Sequence, residues 1–293
     1  MNLSIQHKNK KDIFNIRWWQ MLNILSIDVV IGAVAGGVMA VRLLHVNPGF
    51  AWWIILPLSV WIIYTTDHLI DGFRLKNSSH TVRHFFHYYY SKQTGILIIL
   101  LSVVNIVLIA LYLKRPVFYF GIYAGFITVV YLIIVYFSKN IKSFLLQKEF
   151  FVAVIYSAGI WGGPAALMSY KINTPLILLI AGFFFIVWAA VLILSVYEVN
   201  YDKLDKHNTF AVNFGVEKTV SLIYFLMAAA FIICSGEIVF ITNSEIDIAS
   251  KILMIMGLLL LIILNFPAQL RQNNVYRTLI ELVFWLPGLF LFF

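Results

Sequence analysis

A chain of 293 residues that is 62% hydrophobic and only 12% charged, with a mean hydropathy of +0.91, has too little polar surface to cover a water-soluble domain of its size. Its solvent has to be lipid. The formal net charge of +8 would otherwise invite a nucleic-acid partner, but the basic residues gather at the ends of apolar runs, so topology accounts for them and no nucleic acid is expected.

In chain order, residues 1–23 form a basic segment that is expected in the cytoplasm, and the apolar run behind it is long enough to be an uncleaved first helix rather than a cleaved signal. Runs of crossing length lie at 24–44, 50–66, 94–113, 116–137, 149–170, 173–197, 218–241, 247–265 and 277–293, which predicts about nine transmembrane helices. The last is the weakest, because it is short and carries Pro287. In the first run Gly32 and Gly36 predict close helix packing, and Asp28 is an intramembrane acid that can line a cavity, bond a helix end or pair with Arg17. Pro164, after Gly162 and Gly163, predicts a kink in the fifth run. Glu237 and Glu281 lie near run ends and are expected to reach water, and Cys234, the single cysteine, closes no internal disulfide. Trp52, Trp53, Trp61, Tyr64 and Tyr88–Tyr90 fall near run ends, where anchoring at the interface is the expectation.

The loops that follow even-numbered runs, together with the N-terminal segment, hold 16 of the 21 Lys and Arg residues. The positive-inside rule therefore places the N-terminus in the cytoplasm and the C-terminus outside, in what is expected to be the cytoplasmic membrane. Two of those cytoplasmic loops open with a carboxylate pair at i, i+4: Asp67 and Asp71 in TTDHLIDGFR, and Glu198 and Asp202 in YEVNYDKLDKHN. On a continuing helix that spacing puts both acids on one face, where they repel each other unless a cation offsets them. Two such pairs on one side predict a shared hard divalent ion, Mg²⁺ above all, held with the phosphate oxygens of a substrate. Arg74, Lys76, Arg83, Lys139, Lys142 and Lys203 accompany the pairs and are candidates for binding a diphosphate. HTVRHFFH sets three histidines on one helical face, but His7, His45 and His207 cannot complete the several clusters a di-iron centre needs, so solvated loop histidines are expected.

The chain resembles the UbiA superfamily of intramembrane prenyltransferases, whose nine-helix fold carries one acidic motif after the second helix and another after the sixth. The likeness is most specific in DKLDKHNTFAVNFG, where Thr209, Ala211, Val212 and Gly215 match a Thr-x-Ala-Val-x-x-Gly segment and Asp202 aligns with the second Asp of the motif. Ile63 stands where the family's first motif has Asn, and Glu198 where its second begins with Asp. The Asp71-Gly72 pair is shared with CDP-alcohol phosphotransferases, but DGFRLKNSS does not continue their motif. The resemblance implies an all-α polytopic membrane protein whose helices surround a central cavity, with residues 24–293 as one prenyltransferase domain. It implies Mg²⁺-assisted transfer of a prenyl group from an isoprenoid diphosphate donor to an aromatic or other lipophilic acceptor within the bilayer, with Asp67, Asp71, Glu198 and Asp202 as metal ligands and catalytic residues. Phe85, Phe86 and Tyr88–Tyr90 could line the cavity, although interfacial placement is the reading adopted. Ile63 keeps a second reading open, a relative that binds or transports lipid diphosphates without catalysis.

Overall fold

The structure is a computed structural model that describes residues 17–76, 80–137, 148–271 and 275–293, and all regular structure among them is helical. Six segments are long and apolar enough to cross a membrane: α3 (Trp52–Leu75), α5 (Ser91–Tyr112), α8 (Thr174–Leu204), α10 (Val216–Phe240), α11 (Ser244–Asn265) and Val275–Phe292. The last joins α13 (Val275–Val283) to a 3₁₀ turn, Leu286–Phe292, which carries Pro287. A seventh crossing exists if α1 (Trp18–Ile24) and α2 (Ile27–Leu43), bent by 71°, are one span. Two further long helices, α6 (Arg115–Phe137) and α7 (Lys148–Ala165), and three short ones, α4 (Val82–Tyr89), α9 (Phe210–Phe214) and α12 (Pro267–Leu270), complete the described chain. Each predicted run overlaps a helix, while six or seven meet the test for crossing.

Two helices outrun their predicted ends, and this matters for the site. α3 continues to Leu75 and α8 to Leu204, so both carboxylate pairs ride on helices rather than in loops. Nothing in those stretches breaks a helix, since neither Pro nor Gly intervenes before the acids.

The bend between α1 and α2 turns on Ser26, whose φ of 57° is left-handed. An interrupted helix strands its last carbonyls, and in lipid these need protein donors. Trp61 Nε1 donates to the Leu25 carbonyl at 3.0 Å, and His87 Nε2 to that of Ile24 at 3.0 Å. Asp28 closes the other side of the bend: its carboxylate accepts from Asn23 Nδ2 at 3.0 Å and from the Val29 amide at 2.9 Å. Asp28 is thus a helix-end partner rather than a cavity residue, and Trp61 is a donor to the broken helix.

α8 is the central helix, packed against α7, α9, α10 and α11, with Phe183, Ile186, Leu192 and Ile193 fully buried. It is apolar all round, as a helix enclosed by others must be. Lipid gives little hydrophobic drive to helix association, so close backbone approach and interhelical bonds carry it. A Cβ on Gly32 would lie 3.0 Å from Phe284 Cβ, and one on Gly36 3.0 Å from Ile160 Cδ1, which explains the small residues predicted to pack there. Trp52 is buried against Gly37 and Gly163 rather than at the interface. α7 ends one residue past Pro164, so this proline closes the helix instead of kinking it. Glu237 does not reach water: it is 3% exposed and accepts from Ser250 Oγ at 2.7 Å.

Candidate functional site

One cavity of about 860 Å³ collects all four carboxylates of the two pairs. Arg74, Arg83 and Lys203 line it with them, as do Lys148, Arg277, His84, His207 and Glu281. Its other walls are apolar or aromatic: Val187, Ala190, Leu194, Tyr64, Tyr156 and Phe284.

The first pair is answered from a distant helix. Lys148, the first residue of α7, places Nζ 2.8 Å from Asp67 Oδ2 and 3.3 Å from Asp71 Oδ2, bridging the acids with one ammonium. Two imidazoles complete the surroundings of Asp71, with His84 Nε2 3.8 Å from Oδ2 and His207 Nδ1 4.0 Å from Oδ1. His84 reaches this place because α4 packs directly on α3 at Gly72, where an added Cβ would meet the His84 carbonyl at 2.9 Å and the Tyr88 amide at 3.0 Å. Thr81 caps α4 by accepting from the His84 amide at 3.4 Å. Burial holds His84 well below the ordinary histidine pKa and lowers His87 to about 4. Of the histidines predicted to be solvated, His84 and His87 sit inside the protein with His68, while His80 is partly exposed.

The second pair is divided. Glu198 Oε1 accepts from Tyr276 Oη at 2.9 Å and from Arg277 Nε at 3.1 Å, with a second contact from the Arg277 guanidinium. Tyr276 is held in turn by stacking on Tyr197 at 4.3 Å. Asp202 Oδ2 accepts from Thr209 Oγ1 at 3.0 Å and has no cation at salt-bridge distance among the described residues. The start of α9 fixes Thr209: its unpaired amides are taken by Glu149 Oε1, 2.6 Å from the Phe210 nitrogen, and by Ser195 Oγ, 3.1 Å from that of Ala211. Thus Thr209 orients Asp202, Ala211 is buried on Ser195, Val212 faces the cavity, and Gly215 joins α9 to α10 at a φ of 89°.

Among the predicted cations on the wall, Arg83 and the exposed Lys203 make no side-chain hydrogen bond or ion pair among the described residues. Lys76 is exposed and does not line the cavity, and Lys139 and Lys142 lie outside the described residues. Phe85, Phe86 and Tyr88–Tyr90 do not line it either. Ile63 is absent from the wall, so the position where the family carries Asn does not face this cavity. The sequence reading missed Lys148, Arg277, His207 and Glu149. Lys148 and Glu149 had been visible as charges at the mouth of an apolar run, a signal that resembles ordinary topology.

These features define an all-helical, multi-pass membrane protein with paired acids and several cations in one cavity. The profile of the UbiA prenyltransferase family matches residues 89–286, and the chain belongs to that family. The match begins beyond the first carboxylate pair and contains the second. The chain is similar in fold to a UbiA homolog from Archaeoglobus fulgidus bound to GPP and Mg²⁺, at 14% identity and a TM-score of 0.62, with 91% of this chain and 98% of that one covered. The same homolog bound to DMAPP and Mg²⁺ gives 14% identity, the same coverages and a TM-score of 0.60. The apo UbiA homolog from Aeropyrum pernix K1 aligns at 12% identity and a TM-score of 0.64, again over 91% and 98%. A search of curated protein sequences returns no match.

Proposed function

We propose that this protein is a divalent-metal-dependent prenyltransferase that moves a prenyl group from an isoprenoid diphosphate to an aromatic or other lipophilic acceptor inside the membrane. The observation that carries this reading is the convergence of both carboxylate pairs and the uncommitted Arg83 on one cavity with apolar and aromatic walls. The solved relatives bound to GPP or DMAPP with Mg²⁺ support the same chemistry.

Hard oxygen donors are what Mg²⁺ requires, and the residues present fit it. Each of the four carboxylates has one oxygen engaged, Asp67 and Asp71 by Lys148, Glu198 by Arg277 and Tyr276, and Asp202 by Thr209, and one that accepts no hydrogen bond among the described residues. Asp67, Asp71 and Asp202 are the principal holders, with Glu198, whose Oε1 is pinned by Arg277 and Tyr276, as a support. When bound, the ion neutralises charge developing on the diphosphate. Arg83 and Arg277 add fixed positive charge around the leaving group, and Lys148 shifts between its carboxylates and a phosphate oxygen. Tyr64, Tyr156 and Phe284 offer ring faces to the allylic cation and keep water from it, while the apolar wall of α8 accommodates the chain.

The nine apolar runs are read as nine spans, with the cavity mouth toward the cytoplasm. The asymmetry of Lys and Arg supports this orientation. In a Cys234→Ala background, a cysteine at Asn208 should label from the cytoplasmic side only. The decisive assay is release of inorganic diphosphate from geranyl diphosphate by purified protein with an aromatic acceptor, with and without Mg²⁺. Saturable binding of the donor without any release under either condition would overturn transfer and leave a binding protein.

A further inference from the structure

We infer that Asp71, His84 and His207 form a binding site for a divalent transition-metal ion with affinity for imidazole, of the zinc or cobalt kind. One carboxylate oxygen and one nitrogen from each ring all lie within 4.8 Å of one another. The individual separations, 3.8 Å from His84 Nε2 to Asp71 Oδ2 and 4.0 Å from His207 Nδ1 to Asp71 Oδ1, are too long for hydrogen bonds. They are close to the roughly 3–4 Å between donors that share one ion at about 2.0–2.2 Å.

Neither imidazole makes a side-chain hydrogen bond among the described residues, and His84 Nδ1 and His207 Nε2 are buried without a partner. Two such rings turned toward one carboxylate are costly as bystanders. A shared cation would engage the carboxylate and the ring nitrogens that face it, His84 Nε2 and His207 Nδ1, and not the two buried nitrogens on the far sides of the rings. Two nitrogens and one oxygen suit a borderline ion better than Mg²⁺, which prefers oxygen donors and retained water.

The three ligands are also prearranged by contacts that do not involve an ion. Gly72, beside Asp71, admits the α4 backbone at His84. His207 follows Lys206, whose φ is 56°, and its amide donates to the Asp202 carbonyl at 2.8 Å, which fixes the turn after α8. Asp205 in that turn is bonded to His80, ahead of α4, at 2.5 Å, so the segments bearing the two histidines are tied together. Lys148 is the competitor for Asp71, and it retains Asp67 at 2.8 Å when an ion takes Asp71. All three ligands line the cavity, so water or a phosphate oxygen can fill the remaining positions.

The site shares Asp71 with the proposed diphosphate site, so its test reads the ion itself rather than prenyl transfer. Full-length protein without a histidine tag, stripped with chelator in detergent, is titrated with Co²⁺ while visible d–d absorption is followed, and Zn²⁺ and Mg²⁺ are compared by competition. The expected result is one Co²⁺ per chain, bound at least 100-fold more tightly than Mg²⁺ and displaced by Zn²⁺. His84→Gln and His207→Gln should each weaken Co²⁺ binding by 30-fold or more. His87→Gln, whose ring is occupied by the Ile24 carbonyl, should stay within threefold of wild type. Thermal melts confirm folding, and if a variant unfolds, the wild-type spectrum and stoichiometry alone decide. Absence of d–d bands in wild type, or Co²⁺ affinity unchanged in both folded variants, overturns the site. Mg²⁺-dependent diphosphate release that persists without Co²⁺ binding would sink this inference and leave the prenyltransferase reading intact.

Discussion

The two carboxylate pairs share a spacing and differ in nearly everything else. Asp67 and Asp71 are bridged by one ammonium from α7, and two imidazoles stand against Asp71. Glu198 is held by a guanidinium and a phenol from α13, while Asp202 keeps only a hydroxyl. An i, i+4 interval on a helix decides that two acids share a face. What they do there is decided by the charges that other helices bring, and the first pair has been given a mobile, monodentate cation where Glu198 has been given a planar fork. Lysine is a point charge that can move to a phosphate, whereas an arginine that gives two hydrogen bonds to one carboxylate oxygen is a fixture. On the proposed reading, the first pair is suited to exchange and Glu198 to positioning.

The strongest challenge to that asymmetry compares Asp71→Asn with Glu198→Gln. Losing a charge that faces the reacting diphosphate in a sheltered site costs about 4 kcal/mol, or roughly 10³ in rate. Asp71→Asn should show that loss in kcat for diphosphate release. Glu198→Gln should lose only about tenfold, mostly in KM, because Arg277 stays on the wall with a weaker partner. Equal losses in the two variants would abolish the distinction and return Glu198 to the role of a metal ligand.

Stability gives a second measure of the same contrast. Arg277 and Glu198 side chains are 12% and 15% exposed, so removing one leaves the other charge largely buried and unpaired. Breaking such a pair costs about 3–5 kcal/mol, whereas replacing both members with apolar residues can be neutral. Arg277→Met should lower the melting temperature in detergent, and Arg277→Met with Glu198→Leu should recover most of the loss. Lys148→Met is expected to cost less, since its side chain is 26% exposed and each acid it leaves can be solvated through the cavity. A double variant no more stable than Arg277→Met would show that Glu198 is held by something other than this pair.

These differences also mark what the sequence could disclose. The acid pairs were legible because helical periodicity is local, and Thr209, Ala211, Val212 and Gly215 because they match a segment that the resemblance to the UbiA superfamily supplies. Lys148 and Arg277 were not, since they meet their carboxylates across 77 and 79 residues of chain, and nothing local distinguishes them from the basic residues that topology demands. The histidines were read as solvated because their segment is short and polar. Their burial depends on the backbone contact at Gly72, a residue whose neighbours in sequence say nothing about α4. The nine apolar runs located the helices, but their ends fell short at 66 and 197 because hydropathy drops where the acids begin, although the helical backbone continues.

Gly72 tests that last dependence. A Cβ there would lie 2.9 Å from the His84 carbonyl, a backbone atom that moves only if α4 moves. Overpacking of this kind costs about 1–3 kcal/mol. Gly72→Ala should lower stability within that range and reduce diphosphate release by roughly tenfold, by drawing His84 away from Asp71. A fully active, equally stable variant would mean that the position of α4 does not matter to the first pair.

The smallest effect is expected at Lys76, and its argument runs opposite to that of Arg83. Both follow the first pair in the sequence and both were candidates for the diphosphate, but Arg83 lines the cavity and Lys76 is exposed outside it. Lys76 has a structural feature of its own: it ends α3 with φ 52° and ψ −132°, a conformation that side chains avoid and glycine adopts freely. Such a residue stores on the order of 1 kcal/mol or more of backbone strain, partly offset in a Gly variant by the greater freedom of its unfolded chain. Lys76→Gly should therefore leave diphosphate release within about twofold of wild type and keep or slightly raise the melting temperature, while Arg83→Gln should raise KM for the donor severalfold at unchanged stability. A Lys76→Gly variant with a raised KM and an unaltered melt would show that this lysine reaches the substrate after all, and that the basic residues behind the first pair act as a group rather than through Arg83.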